Sequence, residues 1–234
     1  MRARILMIAG FGDNSSMYAP LLETPLAQNQ ELIPLDLPGF GAPALDGETT
    51  LQTLADHVKD AAIQREADTI VAHSVASIIA SLAAGTKGSP LKRIISLEGN
   101  LTDEDAYFSG RAAEFEDAAS FRDWFLPRLA KKAESDPILA RYTREVAKAD
   151  PQALWELGCD ARRFSDKHHA GERLRDATAI TYIVNPDNCA EASMTWLGNS
   201  GLATIKLPGA SHWPTIDQPA ALARAIERVL VSED

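Results

Sequence analysis

Cysteine is nearly absent from this chain: Cys159 and Cys189 are the two it has in 234 residues. That excludes a fold stapled by a disulfide framework and makes a thiol-reducing compartment, the cytoplasm, the expected setting. Basic charge is scarce as well. Lys and Arg number 23 against 33 Asp and Glu, a formal net charge of −10, and there is no basic stripe to neutralise phosphates. Partners of the nucleic-acid or anionic-membrane kind are therefore not expected. No apolar run is long enough to span a bilayer, since the longest, Ile70 to Ala84, is broken by His73, Ser74, Ser77 and Ser81. The opening Met-Arg-Ala-Arg-Ile-Leu-Met-Ile-Ala is basic, then apolar, but leads straight into Gly10-Phe11-Gly12-Asp13 without a small-residue cleavage site. It reads as a strand rather than a signal peptide. Metal-ligand spacing is missing too: the neighbouring side chains of Lys167-His168-His169 diverge, and no i, i+4 partner accompanies them. Internal repeats and low-complexity tracts are not found, and nothing in the sequence fixes an oligomeric state.

What is present is enough apolar residue, 45% of the chain, for one sizeable core. Six short runs rich in Ile, Val and Leu alternate with helical patterns: Arg4–Ala9, Glu31–Leu35, Thr69–Ala72, Arg93–Leu97, Ala179–Val184 and Ala203–Leu207. Apolar runs without clean alternation suit strands covered on both faces, which predicts a doubly wound α/β fold with a mostly parallel sheet of about six strands. Ser15 or Ser16, Thr50 and Asp217 are expected to cap helices between them, the last with Pro219 just inside. From Leu101 to about Gly171 the alternation fails. Ser120, Asp136-Pro137 and Asp150-Pro151 each open a helical pattern there, and Pro127 is expected to limit or kink the first. Residues 101–171 thus read as a helical lid inserted after the fourth strand, and 1–100 with 172–234 as the core domain. The lid's aromatics, Phe115, Phe121, Trp124, Phe125, Tyr142 and Trp155, could line a pocket, but packing of the lid on itself is the favoured reading for most of them.

The stretch that organises the chain is Asp68-Thr-Ile-Val-Ala72-His73-Ser74-Val75-Ala76. A buried-type strand runs into Ser74, and a helix with Val75, Ile78, Ile79 and Leu82 on one face follows. Strand, tight turn and helix expose a hydroxyl among helix N-terminal amides, the nucleophile-elbow arrangement usually written G-x-S-x-G. Ala72 and Ala76 stand at the two Gly positions, Ala being the smallest alternative where the bend crowds its neighbours. The loop Gly10-Phe11-Gly12-Asp13-Asn14-Ser15 lacks the third Gly of a dinucleotide fingerprint. Its other role would be an oxyanion hole, made by the backbone N–H of Phe11 with that of Val75.

Two further segments complete a pattern: Asp36-Leu37-Pro38-Gly39-Phe40-Gly41 after the second strand and Gly209-Ala210-Ser211-His212-Trp213-Pro214 after the last. With the elbow, they make the chain resemble the α/β-hydrolase family, in its lid-bearing lineage of esterases, C–C hydrolases, haloalkane dehalogenases and hydroxynitrile lyases. The resemblance covers nearly the whole chain, the lid least. It implies that Ser74 is the nucleophile and His212 the general base, with no metal or organic cofactor and a small-molecule substrate. In the family the triad acid usually closes a turn after the fifth of these strands. Here that turn is Asn185-Pro186-Asp187-Asn188, so Asn188 holds the acid's place and Asp187 falls one short. Some lidded members take the acid from the end of the preceding strand instead, which here delivers Glu98. Glu98 is preferred over Asp187. His73 would be structural by the same resemblance, His57 is expected on an exposed helix face, and Cys159 and Cys189 are expected to fill space. Trp213 either borders the pocket or wedges the final helix.

The activity implied is that of a serine hydrolase, an esterase acting on a small apolar acyl compound through an acyl-enzyme. Ser at the elbow argues against a dehalogenase or epoxide hydrolase, which use Asp there. Two alternatives stay open: a hydroxynitrile-type lyase using the same Ser and His, and a non-catalytic ligand-binding protein on this fold.

Overall fold

Apolar runs of four to six residues need backbone partners, and the six runs find them in one another, the inner four on both sides. The structure, a computed structural model describing residues 2–231, forms β1 (Arg4–Ile8), β2 (Glu31–Leu35), β3 (Thr69–His73), β4 (Arg93–Leu97), β5 (Ala179–Val184) and β6 (Ala203–Lys206). Each lies within one residue of its expected bounds. They make a six-stranded sheet in the order β2-β1-β3-β4-β5-β6, with every pairing parallel. The central strands β1, β3 and β4 are almost wholly buried, whereas β2 and β6 at the edges are part-exposed. Pro34 sits in β2, an edge strand, where a missing N–H costs no ladder bond on the open side.

The chain goes from β1 outward to β2, then returns past β1 to β3. A reversal of strand order of this kind opens a crevice at the strands' C-terminal ends. The residues that follow β1, β3 and β4 there are Ala9-Gly10-Phe11, Ser74 and Glu98. Helix α1 (Leu51–Arg65) is capped by Thr50 in a reciprocal pair with Thr53, and it packs against α2 (Ala76–Gly85).

Between β4 and β5 stand two short helical turns, Asp103–Tyr107 and Ser109–Glu114, then α3 (Ala118–Ala133), α4 (Pro137–Val146), α5 (Pro151–Lys167) and α6 (Ala170–Ala177). The segment is drawn together at its base, where Gly171 N–H donates to the Leu101 carbonyl at 2.8 Å. Asp136 and Asp150 cap α4 and α5 as expected, each ahead of a first-position proline.

Several local expectations are corrected. Asn14, not Ser15 or Ser16, caps the turn Ser15–Tyr18, because its longer side chain reaches the Ser16 N–H. Asp117 rather than Ser120 caps α3, which runs through Pro127 as one element. Asp217 ends the turn Pro214–Asp217 instead of opening the final helix, α7 here (Pro219–Val231); the helical segment Glu191–Ser200 precedes β6. The Asp217 carboxylate accepts the Ser211 N–H at 2.6 Å and so shapes the loop that carries His212. His57 is half-buried rather than exposed, and burial lowers its pKa.

Candidate active site

Strand β3 ends in the fully buried His73, and the chain then turns through Ser74 with φ of 54°. Left-handed backbone at a residue with a Cβ costs on the order of 1–3 kcal/mol and persists only where the surroundings impose it. Here they do. The Ser74 N–H still donates to Leu97 O at 2.8 Å as a last sheet bond, while its carbonyl already accepts from Ser77 N–H at 2.9 Å to open α2. The loop after β1 lies hard against this bend: a Cβ on Gly10 would come within 2.9 Å of the Ser74 Cβ and 3.0 Å of His73 Nδ1. Gly10 is therefore required by close approach. It brings Phe11 to the cavity that Ser74 lines, with Val75 buried at the foot of α2.

The adjacent strand leaves the sheet the same way. Leu97 pairs with His73 in register, Glu98 N–H donates to Ile183 O at 3.0 Å, and Glu98 has φ of 50°. Its carboxylate is buried and held from both ends. Oε1 accepts from Asn185 N–H at 2.7 Å and from Asn188 Nδ2 at 3.3 Å, and Oε2 lies 3.7 Å from His212 Nδ1. That separation exceeds a hydrogen bond, as is common before substrate draws a site together. Asp187 is exposed, and no contact joins its carboxylate to His212 among the described residues. The position usually occupied by the acid thus belongs to an asparagine, Asn188, whose amide holds the glutamate of the neighbouring strand.

His212 rides on a loop fixed from three sides. The Ala210 carbonyl accepts from Asn185 Nδ2 and Asn188 Nδ2 at 2.8 and 3.1 Å, Asp217 holds Ser211, and His73 Nε2 lies 2.7 Å from the His212 carbonyl. A carbonyl only accepts, so His73 carries its proton on Nε2. Its Nδ1, buried against Gly10, has no partner among the described residues. Burial, and then the nearby His212, push the His73 pKa well below its ordinary value, so His73 is a neutral strut beneath the His212 ring, 4.7 Å away between centroids.

Ser74, His212 and Glu98 line one cavity of about 260 Å³. Phe11, Phe108, Leu129, Leu139, Tyr142 and Trp213 supply its apolar side, and Asn100, Asp105, Ser109, Lys132 and Asn188 its polar side. Phe115, Phe121, Trp124 and Phe125 stack mainly on one another, with Phe11 seated against Phe121 and Phe125. Of the two readings of Trp213, the structure bears out the first: it borders the cavity, its ring against Tyr142 and His212.

A network that the sequence did not reveal ties these parts together. The buried Asp13 carboxylate accepts from Arg141 at 2.5 Å, from Asn14 N–H at 2.8 Å and from Trp213 Nε1 at 3.2 Å. Burial nonetheless leaves its pKa above the usual carboxylate value, against the pull of Arg141. Next to Arg141, the Tyr142 hydroxyl donates to the Phe11 carbonyl at 2.7 Å. Under the Glu98 turn, Tyr182 donates to Gly99 O at 2.5 Å. Cys189 also lines the cavity, but burial and the nearby Glu98 and Asp105 push its thiol up to about 12, which leaves it un-ionised and unreactive. His168 and His169 are exposed, and among the described residues no group of three His, Cys, Asp or Glu side chains is placed to hold a metal. No helix of the described residues is long and apolar enough to cross a membrane.

The architecture recurs in solved structures. A thermophilic esterase from Thermogutta terrifontis superposes with a TM-score of 0.75 at 16% identity, covering 98% of this chain and 90% of its own. A carboxylesterase of the thaumarchaeon Nitrososphaera gargenis gives 0.77 at 18%, covering 99% and 90%. The N-acyl homoserine lactonase AidH gives 0.73 at 17%, covering 99% and 89%. At such identities the likeness establishes the fold. No curated protein matches the sequence. A family model described as the alpha/beta hydrolase family matches residues 5–225, nearly the whole chain, and the protein belongs to that family.

Proposed function

We propose that the protein is a serine hydrolase cleaving a small carboxylic ester through an acyl-enzyme. One observation carries this reading: a buried carboxylate, clamped on one oxygen, turns the other toward Nδ1 of a histidine that lines the same cavity as the elbow serine. Glu98 holds the proton of His212 on Nδ1, leaving Nε2 to take the proton of the Ser74 hydroxyl as it attacks the ester carbonyl. The tetrahedral oxyanion is held by the Phe11 and Val75 N–H groups. His212 then protonates the departing alcohol, and water, deprotonated by the same ring, releases the acid and restores Ser74. The block 101–171 acts as a lid, its residues Phe108, Leu129, Leu139 and Tyr142 keeping bulk water from the intermediate.

A cavity of about 260 Å³ falls below the roughly 300–1,000 Å³ of drug-sized ligand sites, which favours compact substrates. The likeness to esterases and to a lactonase supports ester chemistry; a lactone is a cyclic ester open to the same attack. The test is labelling with a fluorophosphonate probe beside p-nitrophenyl acetate turnover. Adduct at Ser74, a burst of nitrophenol, and loss of both in Ser74→Ala and His212→Ala are expected. An unlabelled Ser74, or cyanohydrin cleavage without ester hydrolysis, refutes the proposal.

A further inference from the structure

We propose that the cavity wall beyond Glu98 recognises a second, uncharged oxygen-bearing group of the substrate, and that Asn100 is the residue that recognises it. This deepens the hydrolytic reading and rests on it. Asn100 is 4% exposed, lines the cavity shared by Ser74 and His212, and its side-chain amide has no hydrogen-bond partner among the described residues. Its polar atoms are not among those sealed in protein without a partner, and the residue borders the cavity. An amide offers two donors and an acceptor, and burying it unpaired is unfavourable. The other two asparagines near the acid already spend their amide N–H₂ groups on protein. Asn185 accepts from Asp187 N–H and donates to Ala210 O, and Asn188 donates to Glu98 and Ala210. Of the three, Asn100 is the one whose side chain makes no hydrogen bond among the described residues.

Ser109 comes to the cavity from the inserted helical block, is 5% exposed, and its hydroxyl also lacks a partner among the described residues. One spare polar group therefore arrives from the sheet edge and one from the block above it. Charge decides which ligand group they suit. Asp13 is answered by Arg141, whereas the second oxygen of Glu98 faces the His212 ring, which is neutral when it waits to act as base. Asp105, whose Oδ2 takes the N–H groups of Leu101 and Thr102 and the Ser193 hydroxyl, has neutral partners. Lys132 is exposed at the rim. A carboxylate on the substrate would meet Glu98 and Asp105, whereas a ketone, hydroxyl or amide would be matched. Asn100 lies two residues past Glu98, at most ~7 Å of chain, so the group it meets sits within a few bonds of the scissile carbonyl.

The test compares three methyl esters of similar length by pH-stat: methyl 4-oxopentanoate, methyl pentanoate and the monomethyl ester of succinate. The wild type should favour the oxo ester over methyl pentanoate by about tenfold in kcat/KM, the scale of one well-made hydrogen bond, and should disfavour the anionic succinate ester. Asn100→Leu, close in volume, should bring the oxo-to-pentanoate ratio to about unity, and Ser109→Ala should lower it in part. Equal turnover of the two neutral esters by the wild type, or a ratio that survives Asn100→Leu, overturns the inference. Calorimetric titration of Ser74→Ala with the same esters separates this inference from the reading beneath it. If the wild type hydrolyses none of them, tighter binding of the oxo ester by Ser74→Ala still supports the role of Asn100, while equal or absent binding rejects it.

Discussion

Replacing Glu98 by glutamine removes one charge and almost no volume, and the surroundings of the carboxylate dictate the consequence. Oε1 accepts two buried donors, Asn185 N–H at 2.7 Å and Asn188 Nδ2 at 3.3 Å. The glutamine oxygen must take that place, since turning the amide over would set its N–H₂ against both donors at about 1–3 kcal/mol for each unpaired group. Its nitrogen then faces His212 Nδ1, which must become the acceptor, so the ring proton moves to Nε2 and the base cannot receive the serine proton. In chymotrypsin-type triads the equivalent acid-to-amide change leaves geometry intact and lowers kcat by about 10⁴, or ~5.4 kcal/mol at 1.36 kcal/mol per decade. A turned-over amide costing ~2 kcal/mol would still be populated at a few per cent, which sets a floor near a 30-fold loss. Turnover of p-nitrophenyl acetate by Glu98→Gln should thus fall between about 30-fold and 10⁴-fold, with fluorophosphonate labelling falling in parallel and the thermal transition within a few degrees of wild type. Asp187→Asn should stay within about twofold, as an exposed side chain remote from the chemistry. Less than a tenfold loss in Glu98→Gln, or a larger loss in Asp187→Asn, refutes the reasoning.

His73 has a folded pKa depressed below its ordinary value near 6.5, so its contribution to stability is present above that value and is lost as pH falls through it. Denaturant unfolding from pH 7 to 5 should show stability dropping with a slope of up to ~1.4 kcal/mol per unit, which His73→Gln should flatten; an unchanged slope counts against a neutral His73. Tyr142→Phe strands the buried Phe11 carbonyl, so urea melts should report a loss of about 1–3 kcal/mol, with kcat falling more than KM rises because the Phe11 loop also carries a proposed oxyanion donor. Arg141→Met leaves Asp13 buried and charged beside two neutral donors, and should cost about 3 kcal/mol; adding Asp13→Asn should recover part of that, and strict additivity in the double-mutant cycle would disprove the coupling. Ser74→Gly frees the left-handed backbone that Ser74→Ala retains, so the glycine variant should melt higher than the alanine variant by about 1 kcal/mol of stability.

Local pattern sufficed for elements that local pattern builds. The strands were legible because runs such as Ile70-Val71-Ala72 have the length and branching of buried sheet, whereas Glu98 was singled out by the family resemblance, and it stands at the strand exit 3.7 Å from His212. Helix starts were read less well, because several polar residues compete for each cap and side-chain reach decides: Asn14 outreaches Ser15, and Asp117 outreaches Ser120. The Asp13–Arg141 and Asp13–Trp213 contacts join residues 128 and 200 positions apart, which no periodicity encodes. The support of Glu98 by Asn188 was hidden for a different reason. An asparagine where the family customarily has an acid looks like a loss until its amide is found donating to the carboxylate of the neighbouring strand.

Two of the three proposed catalytic groups stand at the same level on neighbouring strands, one step past the paired His73 and Leu97. Their spacing is inherited from the sheet itself, whose strands lie about 4.8 Å apart, and no loop motion can alter it. Whatever adjustment turnover demands must therefore come from the imidazole, carried on residues 208–213 and reaching across a fixed pair like a pendulum between two posts. Engineering the pace of such a site is a matter of tuning that one swing.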